Sequence, residues 1–517
     1  MATAPPSQGG VVLTAELDAI VTTDIAVGQT LKVQAAAGSG KSTALRLYAA
    51  RRPLTPTLYL TFTAAEARAK EDDYARRGLS HVVVSTLHAL AYGCTHDLHR
   101  GRALDAFELS ALDVANLTGS SCLDWPAPRR AAVCRVLDCF LASDASELEP
   151  KHAEGVGSDR GVLAAARAVW SAARDPARGL PLTHDAYLKV CCVCPKRRAA
   201  MFAGIQLAML DEAHDCTEAQ LSLVVGPARH WGCVLVYDFH QRIYGWRRAA
   251  SEAYLRALPA AACLHLSCSW RFGDVLARLA SLLVRRHTAT GSTAMAGNVS
   301  RATAIQEVPS PPFRAVCGAR VTLAVVARTR HTLFTFAMAA VVSGAVDRIS
   351  FGERGAAGAY DMFDGRERLL DTFALYYDRT AHSMLAPGQG AARFVEQGFA
   401  MYRAAAYANG WQIAIEACRV VELYGLALPA LLRQLDAALS CESSRELLLL
   451  SVHEAKGGEW SHVYVADDLR HPGSLCTEEV AGYRLNLVYV AMTRATRALY
   501  LPTPIVSSWL QPVGIRV

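Results

Sequence analysis

Long apolar runs are scarce in this 517-residue chain. The longest, Thr332 to Val346, is about fifteen residues and follows Arg328, Arg330 and His331, short of the roughly twenty that cross a bilayer. No membrane partner is expected. The opening MATAPPSQGG has neither a basic stretch nor an apolar core of the secretory kind, so the expected location is intracellular: nucleus or cytoplasm, or a nucleoid or viral factory in a bacterial or viral setting. An excess of one charge is lacking too. The 53 Lys and Arg oppose 47 Asp and Glu, a net +6 that permits a polyanion groove without demanding one. Lysine is rare, seven of those 53 cations, and no function is read from the skew towards arginine. The 15 cysteines lack a disulfide framework, which points to free thiols in a reducing compartment. Cys191, Cys192 and Cys194 have no CxxC or HxxxH partner nearby, so a helix face with buried thiols is expected rather than zinc. No repeat of solenoid period occurs.

What is present is ample apolar material, 52% of residues against 19% charged, enough for two to four domains with large cores. The strongest local signal is Leu31–Val33 running into Ala35-Ala36-Ala37-Gly38-Ser39-Gly40-Lys41-Ser42-Thr43 and a helix-compatible stretch. In such a phosphate loop, small residues let successive N–H groups curl around a β-phosphate, and the helix N-terminus adds its dipole. Lys41 would reach the β and γ phosphates of ATP, and Ser42 would hold Mg2+. The first position of the GxxxxGK[ST] pattern is Ala35 rather than Gly.

Strand-like runs at Leu58–Phe62, Val82–Val84 and Ile205–Leu210 alternate with helical stretches, which implies a parallel sheet. The last ends in Asp211-Glu212-Ala213-His214-Asp215, carboxylates where a doubly wound ATPase places its metal and water-activating groups. Asp211 would anchor Mg2+ and Glu212 would polarise the attacking water; a solvated acidic strand end is the plainer alternative. Val321–Ala327, Leu447–Val452, Val463–Val465 and Ala498–Leu501 suggest a second α/β unit. The expected fold is α/β, with two P-loop motor-like domains built on parallel sheets, each carrying a mainly helical insertion. The boundaries are 1–94 with 201–262, insertion 95–200, then 263–344 with 446–517, insertion 345–445.

The motifs AAAGSGKSTAL, LYLTFT, STLHALAY, LDEAHDCTEAQ, VYDFHQRIYGWR, LSCSWRFG, VVARTRHTLF, SVHEAKGGEW and NLVYVAMTRA occur in an order that resembles the UvrD/Rep-like superfamily 1 DNA helicases. The nearest likeness is the F-box DNA helicase branch, to which THDAYLK (Thr183–Lys189) is also similar. The resemblance implies RecA-like motor domains and an ATP-dependent, 3′ to 5′ helicase or translocase on single-stranded and tailed duplex DNA, in repair, recombination or replication. It assigns Gln241, with Asp238 upstream, to γ-phosphate sensing, and Arg271 and Arg494 to the γ-phosphate when the cleft closes. Glu459 would contact the ribose, and His453 with Lys456 would lie near nucleotide and strand. Phe62, Tyr244 and Trp246 match base-stacking positions, and Thr86, His88 and Arg247 match polar contacts to DNA. Core packing is the alternative for the aromatics.

Several positions depart from the family. Glu16 or Leu17 stands where relatives carry an adenine-reading Gln, the usual Asn-Lys is missing from TFTAAEA, Arg484 replaces a Glu, and His214 replaces a Gln. The resulting DEAH spells a signature of RNA helicases, but their QRxGRxGR box is absent. Other readings are an RNA helicase or a DNA-bound ATPase that strips proteins, recombinase filaments among them. About thirty residues precede the first strand, which leaves no room for an F-box and no expected ubiquitin-ligase partner.

Overall fold

The computed structural model describes residues 7–8, 11–99, 125–155, 160–178, 182–226, 229–287, 294–317, 321–352, 356–377, 398–439, 446–473 and 476–515. The chain forms two compact units, Met1–Ser267 and Cys268–Val517.

In the first unit six strands, β1 (Thr30–Ala35), β2 (Thr57–Thr61), β3 (Val82–Thr86), β4 (Leu207–Leu210), β5 (Gly232–Tyr237) and β6 (Ala262–Leu266), pair in the order β3-β2-β4-β5-β1-β6. Every pairing is parallel. β2, β4 and β5 are buried along their whole length, as their nearly continuous apolar sequences require when both faces of a parallel sheet are covered. β4, β5 and β1 are neighbours, so the segments leaving their C-terminal ends meet where ligands bind in open α/β sheets. β6 pairs with β1, so the first unit extends to Ser267 and not to the expected boundary at 262.

Helices between β3 and β4 pack on this sheet. Phe140, Trp170 and Leu188 share one buried cluster with Leu58, Leu60 and Leu235 of the strands. Lys189, the last residue of THDAYLK, is fully buried. Its Nζ donates to the Ser143 carbonyl at 2.5 Å, capping the helix Ala127–Ala142, and lies 4.3 Å from the Phe140 ring centroid. Burial pulls this ammonium down to about 8. The thiols of Cys191 and Cys192 point at the carbonyls of Ala91 and Ala219, and burial pushes both up to about 12. Among the described residues no cysteine joins a metal-ligating group of three.

The second unit repeats the plan with β7 (Ala304–Val308), β8 (Leu323–Ala327), β9 (Ile349–Phe351), β10 (Leu447–Ser451), β11 (Trp460–Val465) and β12 (Ala495–Pro502). Their order is β9-β10-β8-β11-β12-β7, all parallel. β9 corrects the expected insertion at 345–445, because its three residues belong to the sheet. The apolar run at Thr332 lies in the helix Arg330–Ser343, capped by the Thr329 hydroxyl and ended by Gly344 at φ +57°. No described helix is long and apolar enough to cross a membrane.

Candidate nucleotide and strand site

The phosphate loop leaves β1 and enters the helix Lys41–Ala50 through Gly38 and Gly40, whose φ values of +71° and +88° favour residues without a Cβ. The loop curls on itself through Ser39 N–H to the Ala36 carbonyl at 3.2 Å, and Ala36 N–H is tied to Leu266 at the end of β6. Ala35 is buried at the strand end, and Thr43 is half-buried in the first helical turn.

Three donors converge on Asp211 at the end of β4. Ser42 Oγ and the Tyr59 hydroxyl donate to its Oδ2 at 2.8 and 2.7 Å, and the Glu212 N–H donates to Oδ1 at 3.0 Å. Tyr59 was not singled out by its motif. Burial, and then Asp211, push its phenol well above its ordinary range, so it remains a hydroxyl donor. Its signal was a buried strand tyrosine that needs a polar partner. Glu212 has φ +54°, an unusual setting for a residue with a Cβ, and its Oε1 lies 3.5 Å from Lys41 Nζ.

The loop after β5 completes the arrangement. Asp238 accepts the His240 N–H at 3.0 Å and the Gln241 amide at 2.7 Å on its two carboxylate oxygens. Gln241 is buried. Three residues on, the Tyr244 ring stacks on Phe62 with centroids 5.2 Å apart and planes 29° apart. Trp246 stands 6.4 Å from Tyr244 and is 60% exposed, with the Arg247 guanidinium 4.9 Å from its ring centroid. The structure thus gathers Phe62, Tyr244, Trp246 and Arg247. It does not treat Thr86 alike: Thr86 is buried, and its hydroxyl accepts the Ala89 N–H as a helix cap. His88 lies 3.3 Å from Asp185 and edge-on to His184 and Tyr187.

In the second unit Arg271, Glu459 and Arg494 come together. Arg271 donates to Glu459 at 2.8 Å and to the Thr493 carbonyl at 3.0 Å. Arg494 is 1% exposed and donates to the Val490 and Gly458 carbonyls at 2.9 and 3.3 Å and to the Thr493 hydroxyl at 3.1 Å. His453 Nε2 lies 3.5 Å from the Tyr483 hydroxyl. Arg484 donates to the Asp468 carbonyl, and burial and then Arg328 lower its guanidinium from its usual range. Of the two residues at the adenine-reading position, Leu17 is buried in the core. Glu16 accepts the Ser267 N–H at 2.7 Å and hydroxyl at 2.6 Å on its two oxygens.

Over residues 446–501 the chain matches the family described as UvrD-like helicase C-terminal domain. It is 26% identical over 532 residues to F-box DNA helicase 1 of Gallus gallus, covering 95% of this chain and 49% of that protein. It is likewise 26% identical over 549 residues to F-box DNA helicase protein 1 of Schizosaccharomyces pombe, covering 97% of this chain and 59% of that protein. The chain therefore spans about half the length of the curated relatives it matches. With nine ordered motifs on two parallel α/β sheets, the chain is similar to the UvrD/Rep-like superfamily 1 helicases, near the F-box DNA helicase branch.

Proposed function

We propose that the chain is an ATP-dependent DNA helicase or translocase that moves 3′ to 5′ on single strands and serves repair, recombination or replication. The observation that carries this reading is the pairing of Lys41 with Glu212 and of Ser42 with Asp211 at strand ends, beside the loop after β5 in which Asp238 holds Gln241 and which continues into an aromatic platform. Lys41 neutralises the β and γ phosphates of ATP. Glu212 orients the attacking water, with its backbone conformation aiming the carboxylate. Ser42 and Asp211 offer hard oxygen ligands 2.8 Å apart, a donor set that suits Mg2+. When bound, that ion neutralises charge on the phosphate oxygens. Gln241 senses the γ-phosphate, and Arg271 and Arg494 stabilise charge on the transferring phosphoryl, which guanidiniums do best in fixed geometry. Tyr244 and Trp246, three and five residues after Gln241, stack on bases of any sequence. Glu459 meets the ribose, and Arg247, His88 and His453 contact the strand. Neither Leu17 nor Glu16 offers the donor–acceptor pair of an amide to adenine, since one is apolar and core-packed and the other has no donor and accepts from Ser267 on both oxygens.

ATP hydrolysis and unwinding measured on 3′-tailed duplex DNA, 5′-tailed duplex DNA and the matching RNA duplexes test the proposal. Stimulation by DNA strands with unwinding of the 3′-tailed duplex is expected. Equal stimulation by RNA overturns the substrate, and preference for the 5′ tail overturns the direction. Strand-stimulated hydrolysis without unwinding would support protein stripping.

A further inference from the structure

His214 is fully buried in the turn after β4, between the water-orienting carboxylate and the sensor loop. Its Nδ1 accepts the main-chain N–H of Asp238 at 3.0 Å. A ring nitrogen that accepts carries no proton, so the neutral imidazole bears its hydrogen on Nε2. Nε2 lies 3.1 Å from Glu212 Oε2 and 3.8 Å from Asp215 Oδ2. Glu212 is therefore flanked on both oxygens, Lys41 facing Oε1 and His214 facing Oε2. Asp238, whose N–H holds the imidazole, is the residue whose carboxylate holds Gln241. A continuous path of short contacts runs from Lys41 through Glu212 and His214 to Asp238 and Gln241.

We infer that His214 is a positioning residue for Glu212, carrying the setting of the Asp238–Gln241 loop to the carboxylate that orients water; this rests on the nucleotide-site reading above. The physical argument is the strain at Glu212. With φ at +54°, its backbone occupies a sparsely populated conformation that persists only where surroundings over-determine it. A rigid ring with an acceptor on one edge and a donor on another links the two loops at fixed spacing. A shift of Asp238 on phosphate sensing therefore moves the imidazole edge that lies 3.1 Å from Glu212 Oε2, a contact of position and charge rather than a hydrogen bond. Small displacements of an orienting group are costly in rate.

Two substitutions separate this role from packing. In His214→Asn the side-chain oxygen keeps an acceptor at the δ position for the Asp238 N–H, but nothing reaches Glu212. In His214→Gln an amide N–H stands at the ε position facing Glu212, while the δ acceptor is lost. With ATP and a single-stranded DNA oligonucleotide, His214→Asn is expected to lower kcat about tenfold or more and to leave KM within about twofold. His214→Gln is expected to recover most of kcat even where its melting temperature is the lower of the two. A packing role predicts the reverse ranking, because Asn preserves the buried main-chain hydrogen bond. Wild-type turnover with an undiminished kcat in His214→Asn overturns the inference alone. Should His214→Asn fail to fold, a loss of more than about tenfold in kcat in a well-folded His214→Gln overturns it equally. A wild-type protein that hydrolyses no ATP overturns the nucleotide-site reading, and this inference with it.

Discussion

Six parallel strands underlie each unit, yet the two treat charge in opposite ways. In the first, Asp211 is surrounded by Ser42, Tyr59 and a main-chain N–H, and Glu212 has Lys41 and His214 beside it. The loop after β1, proposed to hold phosphate, is shaped by glycine backbone at positive φ. In the second, the charges proposed to act are guanidiniums, and they are held by acceptors from their own unit: Arg271 by Glu459 and Thr493, Arg494 by Val490, Gly458 and Thr493. A buried guanidinium must satisfy a fan of donors at once, so its position is set by several carbonyls. The first unit therefore reads as a cradle for phosphate, and the second as a mount for oriented cations. Removing a cradle residue should affect chemistry with little effect on folding, whereas removing a mounted arginine should affect both.

The largest effect is expected from Lys41→Ala and Glu212→Gln, each lowering kcat for ATP by about a thousandfold or more, with melting temperature near that of the wild type. Normal hydrolysis by Lys41→Ala would end the comparison, since the cradle would then hold no phosphate. Next is Arg494→Ala, expected to lose about a hundredfold in turnover while keeping most nucleotide affinity, because such an arginine acts mainly in the transition state. Unlike Lys41→Ala it should also lower stability, by about 1–3 kcal/mol, as buried carbonyls lose their donor. Parallel losses of nucleotide binding and turnover would make Arg494 purely structural.

Trp246→Ala sharpens the contrast within the first unit, because the tryptophan is exposed where the phosphate residues are enclosed. Loss of one stacking face, about 1–3 kcal/mol, should weaken single-strand affinity roughly ten- to hundredfold, with basal hydrolysis and melting temperature little changed. A core tryptophan would instead lower melting temperature, hydrolysis and DNA affinity together. The effect least visible near neutral pH belongs to Lys189, a buried charge with a capping contact and no chemistry assigned. Its ammonium titrates near 8 when folded against 10.5 ordinarily, so between those values the unfolded chain holds more protons and stability rises with pH. Lys189→Met should remove that rise, at most about 3 kcal/mol over the window. Urea unfolding of both proteins at the two ends checks it, and identical pH profiles would show that the amine is not desolvated.

Much of the cradle was legible because it is local. Loop, helix start and lysine lie within ten residues of β1, and their geometry follows from glycine φ and helix capping. The acidic pair after β4 was legible for the same reason. Tyr59 escaped notice because its hydroxyl meets a partner 152 residues away. β6, whose first four residues alternate between half-buried and exposed, and β9, only three residues long, carry too little pattern to be recognised without the strands they pair with. His214 looked like a replacement for glutamine in a motif, and nothing in that motif places Asp238 against it.

By itself the sequence determined the glycine loop between strand and helix, the strand-end carboxylates, the order of motifs and the α/β class, because these rest on backbone conformation and on spacing between near neighbours. Tertiary structure alone decided that Leu17 is core and Glu16 is engaged by Ser267, that Thr86 is a cap, that Trp246 faces outward while Arg494 is enclosed, and that His214 joins two loops. Exposure and hydrogen-bond partnership depend on what packs against a residue from distant parts of the chain, and that information is in no single segment.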